Sequence, residues 1–389
     1  MDKRIRVVLA ANFITIAARM SLVTFLGIYF VREAGIDLAT VGLAFLCENL
    51  LRGVAAPFFG ALSDRVGRRP LLLGAALVTA VVLPCFLLVR GPASLFAWSV
   101  AIGLASAVKM PVGAALLLDL APPERRQSVL ALNYTVISVA YTLAVSPAGF
   151  LAEQSYALLA ATSAAGYALV AGLYLFALRG PLPMETSQRE SFLRDALSVS
   201  RDRVFLGFAA LAFVFPFSMG QLVTVSPLFA MQNGLGEGFI GLVLGLNSVL
   251  VAALALPVAA RMEGRGPFRL LGVAALLVAA CFACFAWVPE PATALIAGMI
   301  VFSFGELIFS SAVPAAVARL APAGRRGAYQ GGWTLVQSFS MGSALFVSGL
   351  LLDAAGWHGA WMSYAAVTLA AALLLFAFRE RFLERAGER

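Results

Sequence analysis

Residues 60–70, Gly-Ala-Leu-Ser-Asp-Arg-Val-Gly-Arg-Arg-Pro, form a short charged stretch between two long apolar runs, Val41 to Leu62 and Pro70 to Val89. A helix needs about 20 mostly apolar residues to cross a bilayer, and each run is long enough. The charged stretch is therefore a tight hairpin at a membrane surface. The same alternation recurs along the whole chain. It predicts twelve spans, near 5–31, 41–62, 70–89, 95–119, 128–152, 157–178, 204–231, 239–260, 270–288, 292–318, 329–352 and 360–378. The runs are continuous rather than alternating, which excludes a membrane β-barrel. The first run is too long for a secretory signal and reads as a retained helix. Composition agrees: 61% of residues are hydrophobic and 12% charged, against about 45–50% and 25% in soluble domains.

The net charge of +8 gains meaning from where the charges lie. Twelve spans put both termini on one face. The loops and tails of that face carry 23 Lys and Arg residues, from Lys3 to Arg389, while the opposite loops carry Arg32 and Arg90. The positive-inside rule then predicts cytoplasmic termini. Topology accounts for the basic balance, and no nucleic-acid partner is implied. The only long polar stretch, 179–203, divides the spans six and six. It reads as a cytoplasmic linker with a short amphipathic helix near Phe192 to Val199. The predicted organisation is a six-helix bundle at 1–178, the linker at 179–203, a second bundle at 204–378 and a cytoplasmic tail at 379–389.

Cys47, Cys85, Cys281 and Cys284 all fall inside apolar runs, and His358 is the only histidine. Cys281 and Cys284 have redox or metal-pair spacing but no acid or histidine nearby, so they read as buried apolar cysteines. No catalytic signature, metal site or cofactor motif is present, so no enzyme activity is expected.

The two halves match each other. A shift of 200 places Leu120-Ala121-Pro122 on Leu320-Ala321-Pro322 and Arg125-Arg126 on Arg325-Arg326. A shift of 199 places Asp64 on Glu263 and Gly67 on Gly266. These correspondences indicate a duplicated six-helix unit.

The hairpin pattern Gly-x-Leu-x-Asp-Arg-x-Gly-Arg-Arg, with the duplication, resembles the major facilitator superfamily of secondary transporters. The resemblance extends over essentially the whole chain and points to the bacterial drug:proton antiporter, YajR-like multidrug-efflux branch. It implies an all-α polytopic fold of twelve helices in two pseudo-symmetric bundles in the cell's inner membrane. It also implies that Gly60, Asp64, Arg65, Gly67, Arg68 and Asp119 form a conformational latch, with Arg65 and Arg68 reaching Asp119. Gly60 and Gly67 suit close backbone approach or a positive φ. Two departures stand out. The fifth span reads Ser146-Pro147-Ala148-Gly149-Phe150-Leu151 where that branch has Gly-Pro-x-x-Gly-Gly. Arg19 stands in the first span, where several cation exporters have an acid.

Five ionisable residues lie well within predicted spans, apart from the edge residue Asp119: Arg19, Glu48, Arg52, Lys109 and Glu306. Such groups are costly against lipid and therefore face the interior or snorkel. Glu48 and Arg52, at i and i+4, are expected to pair. By the resemblance, Arg19, Lys109 and Glu306 line a central cavity. A carboxyl in an apolar setting can exchange a proton near neutral pH, so Glu306 and Glu48 are the proton-coupling candidates. Glu306 is preferred, because Glu48 has a cation beside it. Arg52, Asn133, Tyr134, Ser138, Tyr141, Gln221, Asn247, Trp333 and Gln337 are further candidates for the cavity wall. The leading expectation is a monomeric, proton-coupled efflux carrier for an amphipathic small molecule. The three cations of the first half favour a second reading, a carrier for an anionic metabolite or lipid headgroup. A non-transporting receptor on the same fold is the third.

Overall fold

The computed structural model describes residues 2–122, 125–178, 199–262, 265–322 and 325–386. The described residues are overwhelmingly helical. In lipid the backbone must satisfy its own hydrogen bonds, and a continuous apolar run does so as a helix. The first half comprises α1 (Lys3–Arg32), α2 (Leu38–Val66), α3 (Arg68–Val82), α4 (Pro92–Ala107), α5 (Lys109–Leu120), α6 (Arg126–Gln154) and α7 (Tyr156–Gly172). The second comprises α8 (Arg203–Ala212), α9 (Val214–Gly220), α10 (Ser226–Gln232), α11 (Glu237–Met262), α12 (Pro267–Trp287), α13 (Pro291–Leu320), α14 (Arg326–Ala377) and α15 (Arg379–Ala386).

Short polar caps start these helices. The carboxylate of Asp37 accepts from Thr40 N–H at 2.8 Å, and that of Asp202 accepts from Val204 and Phe205 N–H at 3.0 and 3.1 Å. Two apolar runs are each broken into separate helices near a proline. A proline lacks an N–H and clashes with the carbonyl four residues back. Pro111 thus separates α4 from α5 at Val108, and Pro216 separates α8 from α9 at Phe213.

Eleven helices among the described residues are long and apolar enough to cross a membrane. The sequence predicts twelve spans. The difference lies at the C-terminal end, where spans 329–352 and 360–378 merge into the 52-residue α14. Gly356, with φ 63° and ψ −176°, breaks the helical conformation inside it. The predicted amphipathic helix at 192–199 lies outside the described residues, except for Val199.

Two compact units divide the chain. One takes residues 1–188 with 236–245, the other 189–235 with 246–389. The first has an aliphatic core of Val8, Leu72, Val112, Leu116, Leu117 and Leu178, drawn from α1, α3, α5 and the segment that follows α7. The second has an aromatic one, in which Phe282, Phe285 and Tyr364 surround Trp361 at centroid separations of 5.0–6.0 Å. Large apolar residues such as Phe58, Val81 and Leu88 remain more than half exposed. Such a surface suits contact with lipid rather than water.

Candidate functional site

The buried charges of the first unit meet across four helices. Arg19 of α1 pairs with Glu48 of α2, and its other terminal nitrogen donates to Ser106 of α4 at 2.8 Å. Both charged side chains are almost wholly buried, at 11% and 7% exposure. Tyr167 of α7 stands against the same pair. Gly103 lets α4 come this close, since a Cβ there would sit 3.0 Å from the Glu48 carbonyl oxygen.

This arrangement replaces the expected Glu48–Arg52 pair. Arg52 donates instead to the Asn49 side chain one turn back. The physical reason is charge balance. Among the described residues Arg19 has no other carboxylate in contact, and an unpaired buried charge costs more than an exchanged helical pair returns.

A second polar group lies next to the first. Asn12 Nδ2 donates to Asn133 Oδ1 at 2.6 Å, joining α1 to α6. Lys109, at the start of α5, has a buried ammonium nitrogen with no hydrogen-bond partner among the described residues. The three side chains line a small cavity with Ile16, Gly113 and Ile137. Tyr134 and Ser138 occur on the same helix as Asn133, but their side chains lie outside the described residues. Tyr141 is half-buried on that helix.

The second unit offers one acid. Asn247 of α11 donates to Glu306 Oε2 at 2.8 Å and to Ser303 Oγ at 3.0 Å. No cation among the described residues pairs with Glu306. Gln221 is fully buried. Its amide donates to the Ala344 carbonyl, its oxygen accepts from Ser348, and Ser348 lies 2.7 Å from the Tyr364 hydroxyl. That network ties the residue following α9 to α14 and engages both ends of the Gln221 amide. Trp333 is buried against Phe208, and Gln337 is exposed.

In the first hairpin Arg68 is the hub. Its guanidinium pairs with Asp64, donates to Ser63 Oγ, and reaches Asp119 at 3.1 Å through Nε. Arg65 is exposed and does not share the contact with Asp119 that its position suggests; at that point on α2 its side chain faces outward while Arg68 occupies the gap. Gly60 is buried in α2, where its carbonyl accepts from Ser63 Oγ at 2.7 Å. Gly67 has φ 100°, the left-handed region that favours glycine, and it turns the chain from α2 into α3. Arg69 donates to the carbonyls of Tyr174 and Leu175 at 2.9 and 2.7 Å, in the helical turn that follows α7.

In the fifth span, Ser146 Oγ donates to the Gly241 carbonyl at 2.9 Å. A Cβ on Gly149 would lie 2.4 Å from the Glu237 carbonyl oxygen, so glycine is required there. All of these residues belong to the first unit. Glu263 and Gly264 of the second hairpin lie outside the described residues.

Ser106, Asn12, Asn49, Tyr167 and Ser303 escape attention in the sequence. The available signal is small polar residues at helical spacing within apolar runs, such as Ser163 and Tyr167. Among the described residues no cluster of His, Cys, Asp and Glu can hold a metal. Cys281 is buried and its thiol is unbonded to another cysteine.

The sequence profile of the Major Facilitator Superfamily matches residues 8–289 and 230–388. The chain belongs to that superfamily, whose members are transporters and not enzymes. It is 25% identical over 368 residues to a Na(+), Li(+), K(+)/H(+) antiporter of Planococcus maritimus, covering 84% of each chain. It is 24% identical to the multidrug resistance protein MdtH of Edwardsiella ictaluri, covering 90% of this chain and 84% of the other. The crystal structure of the nucleoside transporter NupG superimposes with a TM-score of 0.79 at 16% identity, over 98% of this chain and all of the other.

Proposed function

We propose that this protein is a proton-coupled efflux carrier that moves an amphipathic small molecule across the cell's inner membrane by alternating access, working as a monomer. The observation that carries the reading is Glu306. Its carboxyl is held by the neutral amide of Asn247 and faces no cation among the described residues, so it can change charge without breaking an ion pair. Glu48 is bound to Arg19 and is the weaker candidate. The names of the antiporter and multidrug relatives support coupling and efflux.

The 23-to-2 distribution of Lys and Arg supports twelve spans with both termini and the 179–203 linker in the cytoplasm. Gly356 supplies the break between the last two spans. The Asp64–Arg68–Asp119 cluster acts as the latch. Ion pairs of this kind bias two states by about 1–3 kcal/mol and still break.

The test is flux in proteoliposomes under an imposed pH gradient, with anionic, neutral and cationic fluorescent amphiphiles as trial substrates. Glu306→Gln should abolish the response to the gradient while substrate exchange persists. Unchanged pH dependence in that variant overturns the assignment. Lys109 favours a second reading within the same fold, a carrier for an anionic metabolite. Tight binding of tetraphenylphosphonium by the wild type would count against it.

A further inference from the structure

Lys109 is the buried group that its surroundings leave unanswered. Its nitrogen has no hydrogen-bond acceptor among the described residues. The carboxylate nearest in kind, Glu48, is committed to Arg19. The cavity it lines has a volume of about 40 Å3. Asn133 accepts from Asn12 through its oxygen, which leaves its amide N–H groups as the atoms able to donate to a ligand. Ile16, Ala114 and Ile137 supply an apolar wall, and Met110 forms an exposed apolar rim. Gly113 keeps the floor open, since a Cβ there would approach only Asn12 Oδ1, at 3.9 Å.

The pocket therefore presents donors in excess of acceptors. A buried donor without an acceptor is unfavourable in either protonation state of the lysine. An entering carboxylate or phosphate oxygen would satisfy Asn133 directly and Lys109 once its buried nitrogen turns toward the cavity, and charge-assisted bonds of that kind are the stronger ones. The size fits a headgroup and nothing larger. Drug-sized ligands occupy about 300–1,000 Å3. Arg19 cannot serve the same purpose while it is bound to Glu48 and Ser106.

We propose that the Asn12–Lys109–Asn133 pocket is the subsite that receives the anionic group, carboxylate or phosphate, of the amphiphile this protein carries. The proposal rests on the carrier reading above, with the apolar remainder of the ligand lying along Met110 and Ile137. A permanent cation meets only the neutral Asn12 Oδ1 here, beside the Lys109 amine, and is disfavoured at this point.

The test uses the full chain in phosphatidylcholine nanodiscs, with benzoate as the probe and benzamide as its neutral counterpart. Benzoate should bind saturably and raise the melting temperature, and benzamide should do neither. Lys109→Met should weaken benzoate binding by about ten- to hundredfold. Asn133→Asp is the second variant. It places a carboxylate beside Lys109, so it should raise the melting temperature without ligand and abolish benzoate binding. A merely structural Asn133 would give no such gain. Adding phosphatidylglycerol separates two sources of the anion. Competition with benzoate assigns the pocket to a lipid phosphate, and no competition assigns it to soluble anions. Wild-type protein that ignores benzoate, or Lys109→Met protein that binds it within twofold of wild type, overturns the proposal. Proton-driven flux is scored separately on the wild type. Its absence with benzoate binding intact removes the carrier reading and leaves the subsite; loss of benzoate selectivity with flux intact removes the subsite alone.

Discussion

In the first unit Arg19, Glu48, Arg52 and Lys109 bring four ionisable side chains from α1, α2 and α5 into one buried region. In the second, Glu306 stands among neutral partners, Asn247 and Ser303, while Gln221, Ser348 and Tyr364 form a separate uncharged network. The sequence repeat would lead one to expect like interiors, yet the two units hold their polar groups in opposite ways. An ion pair fixes both geometry and charge, because removing either partner strands the other in a low-dielectric interior. An amide fixes geometry alone. It leaves an acid free to gain or lose a proton without losing its position.

The largest expected effect follows from that difference. Glu48→Gln should destabilise the protein by about 3–5 kcal/mol, because Arg19 is left as an uncompensated buried charge. Glu306→Gln should cost about 1 kcal/mol or less, because a Gln oxygen still accepts from Asn247. Melting curves of the two purified variants measure both. Replacing Arg19 and Glu48 together by methionine should recover most of the loss. Equal costs for the two single variants would break the comparison between the units.

The hairpins differ in the same direction. Arg68 is buried between Asp64 and Asp119, whereas Arg265, in the corresponding hairpin of the second half, is exposed. Asp64→Asn should reduce transport about tenfold or more while leaving membrane insertion intact. Arg265→Ala should leave transport within about twofold, as expected for an exposed charge that holds no partner in place among the described residues. Similar losses in both would show that the hairpins contribute alike.

Much of the fold is legible in the sequence because lipid imposes one solution on an apolar run. Span 41–62 becomes Leu38–Val66, and span 292–318 becomes Pro291–Leu320. Charges and glycines then mark the ends. The interior pairings are not legible in the same way. Glu48 has Arg52 one helical turn away, and nothing local says that Arg19, 29 residues earlier, will take it instead. Arg69 sits among topology-marking arginines, yet it donates to carbonyls in the turn that follows α7, 105 and 106 residues further on. Gln221 has the composition of a cavity residue, and its burial against Ala344 and Ser348 depends on how α9 and α14 pack. Spacing reports a helical face. It does not report which other helix covers that face.

A smaller effect separates Gly67 from Gly266, which correspond in the repeat. Gly67 has φ 100°, whereas Gly266 has φ −64° with nothing near its missing side chain. Gly67→Ala should destabilise by about 1–2 kcal/mol, since an L side chain is strained in the left-handed region. Gly266→Ala should stabilise by about 0.4–1 kcal/mol, because its backbone already suits alanine and the unfolded chain loses freedom. Melting temperatures should move in opposite directions. A shift of the same sign would mean that the two turns impose the same backbone demand.

The smallest effect tests where the difference between the units stops. Asp37 caps α2 in the first half and Glu290 caps α13 in the second, both at exposed helix starts. Hydrogen bonds from Thr40 hold the Asp37 carboxyl below its usual range, and hydrogen bonds from Thr293 do the same for Glu290. A folded-state value below the unfolded one gives stability that is present above the unfolded range and lost as pH falls through the folded value. Each cap should therefore contribute from neutral pH down to about pH 4 and fade below it. Asp37→Asn should remove this acid dependence while keeping the cap, since Asn caps a helix about as well as Asp. Glu290→Gln should remove it at the other helix. Exposure screens both, so each change should stay within about 1 °C in melting temperature. Differential scanning of wild type and the two variants between about pH 3 and pH 8 provides the measurement. Matching small shifts would confine the contrast between the units to their buried positions. A large shift at one cap alone would show that it extends to the surface.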